Sequence, residues 1–131
     1  MPAELVYVDS SAFVKLVLPE PETPALLAAL AGVERLVASE ILEVEVLRAT
    51  RRGGGDTAAA RSQLAAVRLL PLSSAIRKRA SELDPASVRS LDAIHLATAL
   101  SLGERLDSLY TYDERMSLAA REAGLDARAP G

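Results

Sequence analysis

Four acidic residues in this 131-residue sequence lie where carboxylates could gather into a catalytic site. Asp9 directly follows a run of strand-forming residues at 5–8, and Asp113 follows a second such run and opens a helical pattern. Asp92 falls in the first turn of a predicted helix, where the helix dipole favours an anion. Glu45 lies in the apolar, inward-facing stripe of its helix, which is an unusual place for an acid. Taken singly, each acid could instead be a helix cap, a first-turn acid or a solvated helix flank.

Short β-rich runs alternate with longer helical patterns, which predicts right-handed βαβ units. The predicted strands are 5–8, 36–38, 68–72, 108–111 and 127–129. The predicted helices are 11–18, 23–30, 40–52, 57–67, 75–83, 91–102 and 113–124, with Ser39, Asp56 and Ser90 as expected N-caps. The expected fold is α/β, with a small, mostly parallel central sheet flanked by helices on both faces in one domain over 1–131. Because the carboxyl ends of parallel strands meet at one edge of a sheet, all four acids are expected at that edge.

Four carboxylates packed together repel one another, and they stay ionised only beside cations. The sequence has no cysteine and one histidine, so an oxygen-rich site of this kind favours a hard divalent cation, Mg²⁺ or Mn²⁺. Such a cation can activate water and stabilise the leaving oxygen of a phosphodiester. Asp9 is therefore predicted to be a metal ligand.

The distribution of charge qualifies the formal net charge of −3, which by itself argues mildly against a nucleic-acid partner. Without the four proposed ligands, 14 acidic residues face 15 basic ones, and most of the basic residues are arginine. The planar guanidinium group of arginine can bind phosphate oxygens through two hydrogen bonds at once, which suits this task better than the ammonium group of lysine. Arg48, Arg51 and Arg52, at the far end of the Glu45 helix, form the best cluster for contacting a nucleic-acid backbone.

Four segments carry a resemblance to a known family: "VYVDSSAFVKL", "ASEILEVEVLRA", "SLDAIHLATAL" and "LYTYDERMSLAAREAGL". They resemble, in order, the four acidic motifs of PIN-domain nucleases, and the nearest likeness is to the VapC-type toxins of type II toxin–antitoxin systems. The resemblance covers essentially the whole chain and implies one PIN domain over 1–131. It implies a metal-dependent endoribonuclease that leaves 5′-phosphate products on single-stranded or loop RNA, forms a homodimer and is blocked by a cognate antitoxin. By the resemblance, the metal-binding quartet and its nearby helpers are Asp9, Glu45, Asp92 and Asp113, with Ser10 and Thr111.

Two assignments near this quartet stay open in the sequence. Glu43 is close enough to Glu45 that a register slip could exchange the two, although the helical stripe supports Glu45. His95 lies one helical turn after Asp92 and could orient that carboxylate or bind the metal. The alternative is a histidine whose hydrogen bonds are satisfied while it packs beside the site.

The helical pattern at 23–30, "TPALLAAL", has no polar face, so it must be buried in the domain or covered by another chain. Leu26 and Leu27 on this helix, with Phe13 and Val17 on the first helix, could line a shallow apolar groove. In the toxin family such a groove receives an amphipathic helix of the antitoxin.

Other functions share parts of this sequence pattern. An aspartyl-phosphate phosphatase would also place an aspartate after the first strand, but it usually needs a second one two residues later, where this chain has Ser11. A non-toxin PIN nuclease of RNA processing and a non-catalytic PIN-like binding domain are further alternatives, and the complete acidic quartet argues against the second. The sequence opens without a charged-then-apolar leader, and its longest nearly apolar run, 24–33, is too short to span a bilayer, so we expect a cytoplasmic protein.

Overall fold

Five short parallel strands form the sheet at the centre of the structure, a computed structural model that describes residues 4–131; residues 1–3 of the predicted domain lie outside the described residues. The strands are β1 Leu5–Val8, β2 Arg35–Ser39, β3 Val67–Leu70, β4 Ser108–Tyr110 and β5 Ala127–Arg128. Their order across the sheet is β3-β2-β1-β4-β5. The chain therefore builds outward from β1 to one side and then to the other, which makes the carboxyl end of β1 the switch point of the sheet.

Within residues 4–131, seven α-helices and one 3₁₀ turn connect the strands. The helices are α1 Ser10–Val17, α2 Thr23–Leu30, α3 Ile41–Arg52, α4 Thr57–Leu64, α5 Ser74–Ser81, α6 Ser90–Ser101 and α7 Glu114–Glu122, and the 3₁₀ turn is Gly103–Arg105. The predicted α/β class with a central parallel sheet is confirmed. Gly103 and Gly124 end α6 and α7 with positive φ angles of 57° and 92°, which glycine adopts without strain.

Several predicted boundaries were wrong, for local reasons. Val67 is not the end of a helix: it is buried and pairs with Leu36 as the first residue of β3. Ser39 does not cap α3, because it is the last residue of β2, although its Oγ accepts a hydrogen bond from the backbone N–H of Ile41 at 3.3 Å. Ser90 is the first residue of α6, and the cap position before it makes no side-chain hydrogen bond.

The core consists of small and aliphatic side chains around β1, as the low aromatic content of 3% requires. Val6, Tyr7 and Val8 are almost fully buried, because helices cover both faces of the central strand. Burying a side chain of the size of valine or leucine contributes about 1.5–3 kcal/mol, so the centre of the sheet is the most strongly fixed part of the molecule. Within residues 4–131, no helix is long and apolar enough to cross a membrane.

Candidate active site

Asp9 lies at the carboxyl end of β1, at the switch point of the sheet. It is the N-cap of α1, and only 3% of its surface is exposed. Its Oδ1 accepts hydrogen bonds from the backbone N–H of Ala12 at 3.1 Å and from the Ser11 hydroxyl at 2.6 Å, and its Oδ2 accepts one from the Thr111 hydroxyl. Burial raises the pKa of Asp9, and these hydrogen bonds oppose the rise. A buried anion among neutral donors is costly, and a bound cation would offset that cost.

The start of α7 is tied to Asp9 through Thr111, which follows β4. The Thr111 Oγ1 accepts a hydrogen bond from the backbone N–H of Asp113 at 3.2 Å while its hydroxyl donates to Asp9. Asp113 caps α7, and its Oδ1 accepts from the backbone N–H of Met116 at 3.0 Å. One threonine hydroxyl thus sets the spacing between two acids whose motifs are about 100 residues apart in the chain.

Ser11 also supports this arrangement, although no feature of the sequence marked it as a residue of the site. Its Oγ accepts from the backbone N–H of Tyr112 at 2.8 Å and lies 3.2 Å from the Thr111 Oγ1. Ser10, which the resemblance singled out, instead donates to the Glu45 Oε2 at 3.2 Å. Both serines lie in the first turn of α1. Ser10 contacts Glu45 and Ser11 contacts Asp9, so this turn contacts two acids of the quartet.

Glu45 points toward the site from α3, and Glu43 is exposed on another face of the same helix. The predicted helical register is therefore confirmed, whereas the role of Glu45 as a metal ligand stays a prediction. The Glu45 Oε1 lies 2.6 Å from His95 Nε2. His95 is 1% exposed, and its Nδ1 lies 2.6 Å from the Tyr7 hydroxyl. Both ring nitrogens of this histidine therefore have partners, and its carboxylate partner is Glu45.

Asp92 completes the acidic edge from the first turn of α6. Its pKa is raised, first by partial burial and then by the negative charges of Asp113, Asp9 and Glu45. The negative charges of the other three predicted carboxylates therefore all act on Asp92. Because a divalent cation would reverse this repulsion, the charge distribution at this edge favours cation binding.

The acids form an open arrangement and not a closed cage. Within residues 4–131, no three histidine, aspartate or glutamate side chains are already placed to hold a metal ion together. Mg²⁺ keeps several of its water ligands and is commonly bound through one or two carboxylates. Half-buried carboxylate oxygens on an open edge therefore fit Mg²⁺, which requires no closed cage of protein ligands.

Two grooves flank the acidic edge. One, of about 550 Å³, is lined by residues that include Glu45, Arg48, Arg52 and the exposed Leu91. Arg48 and Arg52 are four residues apart and so lie on one face of α3, whereas Arg51 of the predicted cluster is not among the lining residues.

The second groove, of about 230 Å³, includes Asp92 in its lining. Its lining includes Arg89, Arg115 and the exposed Leu118. These two arginines were missed in the sequence because they lie on separate segments, 26 positions apart, and form no local cluster.

The predicted apolar groove on α1 and α2 is wrong in two of its four residues. Phe13 is 2% exposed and Leu26 is fully buried, so both belong to the core and cannot form groove walls. Val17 is partly buried against that core. Leu27 alone of the four is well exposed, at 55%. Only Thr23 and Leu26 of this helix are buried, whereas Pro24, Leu27 and Ala28 are exposed, so part of its apolar surface is not covered by this chain's own residues.

Comparison with known proteins agrees with this geometry. Residues 6–122 match the PIN domain family. The chain is 39% identical over 133 residues to Ribonuclease VapC47 of Mycobacterium tuberculosis, in an alignment that covers 97% of this chain and 98% of that relative.

Two solved structures share the fold. VapC20 of Mycobacterium tuberculosis, a Sarcin-Ricin loop cleaving toxin, superposes with a TM-score of 0.75 at 17% identity, over 95% of this chain and 99% of that chain. A toxin-antitoxin complex from Klebsiella pneumoniae contains a chain with a TM-score of 0.68 at 24% identity, over 82% of this chain and 86% of that chain. From its sheet order, its acidic edge and these similarities, the chain belongs to the PIN-domain family and is related within it to the VapC ribonucleases.

Proposed function

We propose that this chain is a Mg²⁺-dependent endoribonuclease of the VapC toxin type, which hydrolyses RNA phosphodiester bonds at the edge formed by Asp9, Glu45, Asp92 and Asp113. The observation that carries the proposal is the buried Asp9 carboxylate. Its hydrogen-bond partners within residues 4–131 are neutral, and it contributes to the negative field that raises the pKa of Asp92. A folded protein retains such a costly arrangement of charge when a bound cation stabilises it.

The four carboxylates would hold the ion, one or two of them directly and the others through its water ligands, with Mn²⁺ as an alternative to Mg²⁺. When bound, the ion supplies an activated water and neutralises charge on the phosphodiester. The protein's own residues position the carboxylates. Thr111 and Ser11 fix the direction of Asp9, so that its oxygens need not reorganise when substrate binds.

Binding of RNA follows from the two grooves. Arg48 and Arg52 line the groove that includes Glu45. Arg89 and Arg115 line the groove that includes Asp92. Guanidinium groups bind phosphate oxygens through two parallel hydrogen bonds. We therefore place a single RNA strand across the edge, with one phosphate at the acids and its neighbours at the arginines.

The proposal also covers the partners and the location. The structural likeness to a chain of a toxin-antitoxin complex supports inhibition by a cognate antitoxin. The exposed Leu27 is one apolar contact available to such a partner. A homodimer and a cytoplasmic location follow from the VapC resemblance, and sedimentation of the purified protein tests the first.

The experiment compares RNA cleavage by wild type, Asp92→Asn and Asp126→Asn in Mg²⁺. Asp92→Asn should lose at least about 100-fold in rate, since outer partners of metal ligands already contribute about 10–100-fold. Asp126 lies away from the acidic edge, and its exposed carboxylate pairs with Arg128. Asp126→Asn should therefore cleave like wild type. Equal cleavage by Asp92→Asn and wild type would refute the assignment of the site.

A further inference from the structure

A buried chain of hydrogen bonds leads from the backbone of β2 to Glu45. The backbone N–H of Ser39 donates to the Tyr7 hydroxyl oxygen at 3.0 Å. The same hydroxyl lies 2.6 Å from His95 Nδ1, and His95 Nε2 lies 2.6 Å from the Glu45 Oε1. Tyr7 is fully buried and His95 is 1% exposed. This series of hydrogen bonds thus links β2, β1, α6 and α3, and it is buried from solvent until it reaches the Glu45 carboxylate.

The direction of the last hydrogen bond follows from its geometry. A carboxylate has no proton to give, so an unprotonated Nε2 at 2.6 Å from it would place two lone pairs face to face. His95 therefore carries a proton on Nε2 and donates a hydrogen bond from it to Glu45. With that proton on Nε2, the Nδ1 lone pair can accept a hydrogen bond from the Tyr7 hydroxyl, which lies 2.6 Å away. Burial raises the pKa of Tyr7, so this hydroxyl keeps its proton.

Glu45 has a competing partner on its own helix. Arg48 is three residues further along α3, at a spacing that brings side chains together, and both residues line the same groove. Without the hydrogen bond from His95, the carboxylate could turn outward and pair with Arg48. The Ser10 hydroxyl at 3.2 Å is a longer and weaker restraint on the same side chain.

We propose that Tyr7 and His95 are positioning residues that hold Glu45 at the acidic edge in the orientation needed for metal binding. His95 occupies one oxygen of the carboxylate and leaves the other, beside Ser10, directed to the site. Tyr7 holds the imidazole ring in the orientation from which it can donate. This inference rests on the proposed metal-dependent cleavage, and it assigns a task to two buried residues that are not ligands themselves.

The test measures Mg²⁺ affinity by calorimetry without RNA, together with the Mg²⁺ dependence of cleavage. Tyr7→Phe removes one hydroxyl and keeps the ring that packs edge-on against His95. We expect a Mg²⁺ dissociation constant about 10–100-fold higher than that of wild type, which is the usual effect of losing an outer hydrogen-bond partner. The cleavage rate at saturating Mg²⁺ should fall much less, because the ligands themselves are intact.

A pair of substitutions at His95 keeps the test valid if Tyr7→Phe folds poorly, since that change also leaves the Ser39 N–H without its acceptor. His95→Gln can still donate to Glu45 from its amide and should bind Mg²⁺ nearly as wild type does. His95→Leu has no donor and should show the full loss. Circular dichroism confirms that each variant is folded before its affinity is compared.

The outcomes separate the two proposals. Wild-type Mg²⁺ affinity in folded Tyr7→Phe and His95→Leu, with normal cleavage by the wild-type protein, overturns the positioning role alone. Equal losses in His95→Gln and His95→Leu also overturn it, because they would indicate that only the shape of the imidazole matters. A wild-type protein that neither binds Mg²⁺ nor cleaves RNA overturns both proposals.

Discussion

Replacing Asp9 with asparagine distinguishes the effect of its buried charge on stability from its proposed role in metal binding. The asparagine keeps an Oδ1 that can accept from Ala12 and Ser11, and asparagine caps a helix about as well as aspartate does. The Thr111 hydroxyl loses a carboxylate acceptor, but the Ser11 Oγ lies 3.2 Å away and can accept its proton. Removal of the charge eliminates the desolvation that raises the pKa of Asp9 and weakens the repulsion on Asp92. We therefore expect Asp9→Asn to change the free energy of unfolding of the metal-free protein by less than about 1 kcal/mol, with a gain in stability the expected sign.

The response to Mg²⁺ should differ much more. At a concentration 100 times the dissociation constant, binding to the native state alone stabilises it by about 2.7 kcal/mol. An unfolding entropy of about 2.1 cal/mol/K per residue gives about 0.28 kcal/mol/K for this chain. The wild-type melting temperature should therefore rise by about 10 °C. If Asp9→Asn weakens binding about 100-fold, the same Mg²⁺ concentration gives about 0.4 kcal/mol and a rise of about 1–2 °C.

The assay is thermal unfolding followed by circular dichroism, in EDTA and in increasing MgCl₂ at constant ionic strength. Asp126→Asn is the matched control, because it makes the same chemical change on an exposed carboxylate. It should keep the full rise in melting temperature. The reasoning is refuted if Asp9→Asn keeps that rise as well, since Asp9 would then not take part in binding the ion.

Three further predictions concern other parts of the molecule. Glu45→Gln should reduce cleavage at least about 100-fold while the exposed Glu43→Gln stays within about twofold of wild type, and the reverse ranking in a cleavage assay would contradict the inward face of Glu45. Leu27→Lys should keep its stability within about 0.5 kcal/mol and its cleavage activity, yet bind antitoxin at least about tenfold more weakly; an unchanged affinity in titration calorimetry would remove Leu27 from that interface. The stability advantage of Asp9→Asn over metal-free wild type should be full above the raised pKa of Asp9 and should shrink as the pH falls through that pKa toward 3.8, because protonation removes the buried charge from the folded wild type. Urea unfolding of both proteins at pH 7 and pH 4.5 measures this difference, and a gap that widens at the lower pH would contradict the burial argument.

The sequence predicted the acidic edge because local pattern and topology agree there. Asp9 and Asp113 each follow a strand and begin a helix, and a parallel sheet brings such positions together whatever the rest of the packing. Glu45 was distinguished from Glu43 by helical periodicity alone, and the structure confirms the face on which each lies. The metal-binding role of these acids remains a prediction.

The features that the sequence did not predict depend on contacts between distant segments. Tyr7 meets His95 across 88 residues, and Thr111 meets Asp9 across 102, so no local pattern marks either pair. The burial of Phe13 was missed for a similar reason. An apolar helix face looks the same in sequence whether this chain or a partner covers it.

The chemical nature of the RNA ends that the purified protein produces tests the central claim most directly. A metal ion held by these carboxylates would supply an activated water for hydrolysis, and the products would then carry a 5′-phosphate and a 3′-hydroxyl. We predict these ends in Mg²⁺ and no cleavage in excess EDTA. Cleavage that continues in EDTA and leaves 2′,3′-cyclic phosphates would mean that the ribose 2′-hydroxyl is the nucleophile, and it would contradict the metal-dependent mechanism at the acidic edge.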